Sequence, residues 1–251
     1  WDEISRKMRL VFHGDRIISQ FEGYGELREF DWEGYRRKYG DIHRLDRILE
    51  AERDTPNRYK VSKQADLLMA FYLLSAEELG ALFNRLGYPF DRETIPRNIQ
   101  YYLKRTAHGS TLSRVVHSWV LSRSRRDTSW DLFQEALKSD ISDIQGGTTH
   151  EGIHLGAMAG TVDIIQRSYT GLETSRDILR FNPSLPQGLK SARFTMKYRQ
   201  HRLTVNITKS LLQIKSEPLD TAPIRIGFRE REFELKAGSI LEFDLNESGR
   251  P

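Results

Sequence analysis

The chain has 251 residues, enough for two ordinary domains that each bury a core, and its 39 basic against 35 acidic side chains leave a net charge of only +4. That balance, with no long run of either sign, argues against a nucleic-acid partner. Cysteine is absent, which excludes disulfides, a thiol nucleophile and Cys-ligated metal and is compatible with a reducing, cytoplasmic setting; no apolar run reaches the roughly eighteen residues of a membrane span, and no signal peptide opens the chain.

In chain order, Ile4, Met8, Val11 and Phe12 predict a first helical face, ended by a turn at His13–Asp15. Residues 17–25 read as an extended or loop passage in which Gln20, Glu22 and Tyr24 are exposed polar groups, either near a site or, the favoured reading, on a surface loop. Asp31–Ala51 reads as one helix with a solvated outer face, patterned in its second half by Ile42, Leu45, Ile48 and Leu49 and broken by Pro56 and Asn57. The segment 61–66 opens the next helix, whose continuation Leu67–Leu74 is apolar nearly all round and so belongs among other helices. Lys63, Gln64 and Asp66 at its polar start form either a solvent-facing end or the rim of a pocket.

Ser75 with Glu78 makes a capping box for a helix that stops at Gly87, and Arg92–Lys104 predicts another, opened near Pro96. His108-Gly109-Ser110-Thr111-Leu112-Ser113 follows. A glycine flanked by hydroxyls at a helix start supplies donors suited to phosphate, although Ser110 or Thr111 can equally serve as an ordinary cap. The helix runs through Val115, Trp119 and Leu121 to Arg123, Arg125 and Arg126, whose charge suits its negative end. A further helix, Trp130–Ile141, leads into a glycine-rich stretch.

That stretch, residues 146–161, reads Gly-Gly-Thr-Thr-His-Glu-Gly-Ile-His-Leu-Gly-Ala-Met-Ala-Gly-Thr. Thr148 and Glu151 form a second capping box, so a helix is expected to start there, with Gly152, Gly156 and Gly160 as a bare stripe that something approaches closely. His150 and His154 then share a face near its N-terminus. The same residues spell His-Glu-x-x-His, the zinc-peptidase signature. Against zinc, the motif sits in a first turn behind two glycines, and Gly160 occupies the place of the third histidine of the longer metzincin pattern. No metal is expected.

After Glu173 the apolar period changes from helical to alternating, through residues 192–198, 203–207, 212–214, 224–226, 233–235 and 240–243. Short strands with turns between them predict a small antiparallel sandwich. Asn182–Pro186 reads as a linker, and the boundary is placed near 176, dividing residues 1–175 from 176–251.

The glycine-rich stretch, with Lys63-Gln64-Ala65-Asp66, the His108–Ser113 run, Tyr169-Thr170-Gly171-Leu172 and Asn182-Pro183-Ser184-Leu185-Pro186, closely resembles the disaccharide phosphorylases of glycoside hydrolase family 65, and the matches run through nearly the whole chain. The resemblance implies a mainly α chain with a C-terminal all-β domain: the C-terminal part of an (α/α)6 barrel followed by a small antiparallel β-sandwich. It implies part of an inverting phosphorylase that splits maltose, trehalose, kojibiose or a similar α-glucoside with inorganic phosphate to give β-glucose 1-phosphate. Phosphate is a co-substrate and no cofactor is implied.

An inverting glycosidase protonates the leaving oxygen with one carboxylic acid and activates water with a second carboxylate; in a phosphorylase, bound phosphate attacks instead of water. By the resemblance, Ser110, Thr111 and His154 bind phosphate, His108 and Gly109 shape the phosphate loop, and Lys63 and Gln64 hold the glucosyl unit. Glu151 is expected to cap its helix and support these groups. The family's general acid, a glutamate in an Asp-Glu-Tyr-His-like motif, does not occur among these residues and is expected upstream of Trp1, which is itself read as the start of a piece. The partners expected are a sugar, phosphate, the missing N-terminal part of the same enzyme and a second copy of the chain, with no nucleic acid or membrane. Leu67–Leu74 is expected to contribute to an uncovered apolar face. The alternatives are a hydrolase of the same family, which would carry a water-activating carboxylate in place of the phosphate loop, and a noncatalytic carbohydrate-binding fragment.

Overall fold

The computed structural model describes residues 2–143, 150, 152–175 and 177–246. Two compact units emerge, one of Trp1–Leu121 with Asp131–Gly160, the other of Ser122–Trp130 with Thr161–Pro251. The chain passes between the units three times, at the end of α7 (Thr111–Leu121) and within α8 (Arg126–Lys138) and α9 (Leu155–Asp163).

Short helices dominate the first unit: α1 (Asp2–Lys7), α2 (Trp32–Tyr39), α3 (Leu45–Ala51), α4 (Leu68–Leu73), α5 (Ala76–Leu86), α6 (Thr94–Leu103) and α7 (Thr111–Leu121), followed by α8 (Arg126–Lys138) and α9 (Leu155–Asp163). A two-stranded ribbon, β1 (Phe12–His13) with antiparallel β2 (Ile17–Ile18), replaces the end of the predicted first helix. The single helix expected over Asp31–Ala51 is two, because Gly40 leaves α2 at φ 69° and turns the chain. The capping box at Ser75 forms as read: its hydroxyl accepts the Glu78 N–H, and Glu78 accepts the Ser75 N–H at 2.8 Å. Such a cap typically contributes about 1 kcal/mol.

Core packing corrects three further expectations. Tyr24 is wholly buried with Ile18, Leu68, Phe71 and Tyr102, so it is no surface-loop residue. Gln20 donates to the Ser62 hydroxyl from the same passage. Of Leu67–Leu74, Leu73 alone is exposed; the others pack in or against this core, so the segment does not supply a broad uncovered face. In place of the expected helix start at 61–66 there is a β-bridge at Ser62, a bend at 63–64 and a turn from Asp66, and α4 begins only at Leu68.

The helix expected from Thr148 begins at Leu155; Thr148 and Glu151, with the rest of 144–149, lie outside the described residues. Gly152 precedes the helix at φ 103°, and nothing lies near Gly156. Among the described residues, only Gly160 of these three glycines is closely approached. A Cβ there would come within 2.5 Å of the Val115 side chain on α7, so the bare stripe shrinks to one contact.

Arg123, Arg125 and Arg126 do not simply end α7. Arg126 opens α8, and Arg123 donates to the Asn182 carbonyl at 2.8 Å within the second unit. A π-helical turn, Ile164–Ser168, extends α9. Two four-stranded sheets follow. One orders β10 (Ile240–Asp244), β7 (Leu211–Ser216), β6 (His201–Thr208) and β5 (Ser191–Tyr198), all antiparallel. The other orders β3 (Glu173–Ser175), β4 (Ile178–Phe181), β8 (Ile224–Phe228) and β9 (Arg231–Leu235).

The six predicted strands all form. Their alternation buries Leu203, Val205 and Ile207 of β6 with Leu212 and Ile214 of β7 against Leu179, Phe181 and Ile226. The second sheet is mixed rather than antiparallel, because β4 pairs with β8 in parallel, Ile178 opposite Arg225. Asn182–Pro186 connects β4 to β5, both in the second unit.

Candidate functional site

Residues 62–64 run beside residues 105–109. Ser62 bridges Thr106 in parallel, donating its N–H to Arg105 at 2.7 Å and accepting from Ala107 at 2.8 Å, and Gly109 then donates to the Lys63 carbonyl at 2.7 Å. The approach demands glycine. A Cβ at 109 would lie 2.6 Å from the His43 carbonyl and 3.1 Å from Lys63 Cγ, closer than packed atoms tolerate. Lys63, His108 and Gly109 are thereby held together, with Ser110 and Thr111 following at the start of α7.

The Lys63 ammonium stands 3.3 Å from Asp46, a half-exposed pair worth at most about 1 kcal/mol, so it is readily lent to a ligand. Gln64 is exposed and donates to Asp66 at 3.2 Å. Beside them opens a small cleft lined by His43, Asp46, Ser62, Lys63 and Ala107 among others. Ser110 is half-buried and Thr111 buried. At the start of α7 the N–H groups of Thr111 and Leu112 have no partner within the helix, whereas that of Ser113 donates to the Ser110 carbonyl at 3.1 Å.

His108 adopts φ 55°, with its Nδ1 3.0 Å from the Ser113 hydroxyl and its ring edge-on to His117 at 4.5 Å. Burial, then the charges of His117, Arg114 and His43, push its pKa down to about 2. Burial likewise lowers His117 to about 4, while its Nδ1 donates to the Ser113 carbonyl at 2.8 Å. Both rings are neutral at neutral pH. His108 accordingly offers the loop shape and hydrogen bonding, not positive charge.

The permanent charge at this loop is Arg114, whose side chain is 1% exposed. It donates through Nε to Glu135 at 2.8 Å, and its two terminal nitrogens reach the His108 carbonyl at 3.4 Å and His43 Nε2 at 3.2 Å. His154 is held by Asp140, which accepts both its backbone N–H and its Nδ1–H. The exposed His150 lies outside α9, so the two histidines do not share a helix face. Glu151 lies outside the described residues.

Sequence reasoning passed over Asp140, Arg114 and His43. An aspartate just past a helix, and an arginine inside one, carry no motif by themselves. The signal lies in the partner, and the partners are distant in the chain.

Against known proteins, residues 1–163 match the glycosyl hydrolase family 65 central catalytic domain, and residues 172–235 match the C-terminal domain of the same family. An uncharacterized glycosyl hydrolase of Mycobacterium tuberculosis is 50% identical over 96% of this chain and 18% of its own length. Trehalose 6-phosphate phosphorylase of Lactococcus lactis is 36% identical over 97% of this chain and 31% of its own. A solved structure of a candidate kojibiose phosphorylase from the human microbiome superposes with a TM-score of 0.72 at 24% identity, covering 95% of this chain and 30% of that one. The chain therefore spans less than a third of the length of these relatives.

Proposed function

The chain belongs to glycosyl hydrolase family 65, and on that footing we propose that it is part of an inverting α-glucoside phosphorylase that transfers a glucosyl unit from a disaccharide to inorganic phosphate, releasing β-glucose 1-phosphate. In this reading Ser110, Thr111 and His154 hold the phosphate, His108 and Gly109 shape its loop, and Lys63 and Gln64 hold the glucosyl unit. The phosphate oxygen attacks the anomeric carbon from the face opposite the leaving oxygen, and a carboxylic acid supplied by another part of the enzyme protonates that oxygen. Glu151 has a supporting role. Phosphate is the co-substrate, and no metal or organic cofactor enters the reaction.

One observation carries the proposal. The Gly109 N–H bond to the Lys63 carbonyl ties the run assigned to phosphate to the segment that carries the lysine assigned to the sugar, and residues 108–113 contain no carboxylate that could activate water. Donors preorganised around an attacking anion suit phosphorolysis better than hydrolysis. Relatives named for trehalose 6-phosphate, kojibiose and maltose support a substrate that is an α-linked glucose disaccharide or its phosphate ester.

The test uses the full-length protein that carries this segment, given trehalose, trehalose 6-phosphate, kojibiose or maltose with and without inorganic phosphate. Phosphate-dependent appearance of β-glucose 1-phosphate is expected. Release of free glucose at a rate indifferent to phosphate would favour the hydrolase, and binding of glucosides without any turnover would favour the noncatalytic reading.

A further inference from the structure

His108 holds a left-handed backbone, which a residue with a side chain rarely adopts. Its conformation decides where the next three residues point, so whatever keeps it there governs the loop. Two contacts do so from within the run, the Gly109 N–H to Lys63 and the His108 ring to Ser113. A third comes from the side. Arg114 is fully buried and reaches three separate segments at once: Glu135 on α8, the carbonyl of His108, and His43 ahead of α3. Burying a guanidinium is costly unless its donors are matched, and a planar fork that spans three segments fixes their spacing as a single ammonium does not.

We propose that Arg114 is a positioning residue for the phosphate loop, setting the His108 turn and hence the aim of the Ser110 and Thr111 donors, with Glu135 anchoring the arginine from α8. The assignment rests on the phosphorylase reading of the loop. Arg114 does not itself touch phosphate; its effect passes through the His108 carbonyl.

The experiment compares wild type, Arg114→Lys, Arg114→Met and Glu135→Gln in the full-length protein. Hydrogen exchange at residues 109–112, which needs no knowledge of the reaction, should be faster in both Arg114 variants and moderately faster in Glu135→Gln. The KM for inorganic phosphate should rise about tenfold or more in Arg114→Lys, the scale of a lost hydrogen bond to a charged group, while the KM for the glucoside stays near wild type. Glu135→Gln keeps the buried arginine and guards against a variant that fails to fold. Unchanged exchange at the loop in Arg114→Lys and Glu135→Gln would overturn the proposal, as would an equal rise in both KM values. Absence of phosphate-dependent turnover in the wild type would instead count against the phosphorylase reading, and the exchange data would still decide the role of Arg114.

Discussion

Asp140 grips His154 at two points: one carboxylate oxygen accepts the histidine backbone N–H at 2.9 Å, and the other accepts Nδ1–H at 2.5 Å. The double bond fixes both the ring and its tautomer, leaving Nε2 as the nitrogen available to a ligand. Asp140 is itself only 10% exposed on its side chain, so little competing water reaches the pair.

Replacing Asp140 with asparagine should therefore weaken phosphate binding in the full-length enzyme. An amide can face Nδ1 with oxygen or with NH2 but cannot supply two charged acceptors, and a hydrogen bond to a charged group is worth about 1.5 to 3 kcal/mol. A rise of roughly tenfold or more in the KM for phosphate is expected, with His154→Ala at least as severe. Phosphate kinetics matching wild type in both variants would remove His154 from the phosphate site.

Gly109→Ala should disturb the loop more than a one-carbon change normally does. The new methyl would meet the His43 carbonyl at 2.6 Å and Lys63 Cγ at 3.1 Å, and residue 109 itself cannot retreat without straining its N–H bond to the Lys63 carbonyl. Overpacking of this kind costs about 1 to 3 kcal/mol. A lower Tm and a weakened response to phosphate are expected, and a Tm equal to wild type would show that the loop has room to shift.

The buried histidines predict acid sensitivity of a definite sign. His108 and His117 have folded pKa values near 2 and 4, below the ordinary value of 6.5, so the unfolded chain binds more protons than the folded one between those limits. The stability they contribute is complete above about 6.5 and is lost as pH falls, at up to about 1.4 kcal/mol per unit for each ring. Carboxylates scarcely titrate between pH 7 and 5, so a falling Tm over that range reports the buried histidines, His108 and His117 together with His13, which burial also lowers. A flat Tm there would contradict the neutral assignment.

The isolated chain, incubated with maltose, trehalose or kojibiose and phosphate, should release no glucose 1-phosphate. No Asp-Glu-Tyr-His-like motif occurs in its 251 residues, and without a general acid the leaving glucose oxygen has no proton. Turnover like that of an intact phosphorylase would place the acid within this sequence.

Much of this architecture was legible because the physics is local. Ser75 and Glu78 are three residues apart, and their cap forms; β5–β10 alternate apolar and polar positions, and each strand forms. Where the determinant was distant, reading failed. β4 has buried residues on both faces, Ile178, Leu179 and Phe181, so it lacks the alternation that reveals a half-exposed strand, and its parallel partner β8 lies beyond an entire sheet's worth of chain. Lys63, Gln64 and the 108–111 run were visible as motifs, but Gln20, His43, Arg114 and Asp140 acquire meaning only from what folding sets against them. Tyr24 was misplaced for the same reason: its hydroxyl suggests a surface, while the ring is packed against Tyr102 and Phe21.

The parallel pairing of β4 with β8 also orders events during synthesis. The β3–β4, β5–β6 and β6–β7 hairpins need only short turns and can zip as they emerge, whereas the second edge of β4 must wait, apolar on both faces, until β8 has been made and the intervening chain has closed as one long loop. A nascent chain that has released residues up to Ser216 but not yet β8 would thus hold a finished three-stranded meander beside a β3–β4 hairpin with one open edge, whose Leu179 and Phe181 would be exposed to chaperones or to the β4 of another nascent chain.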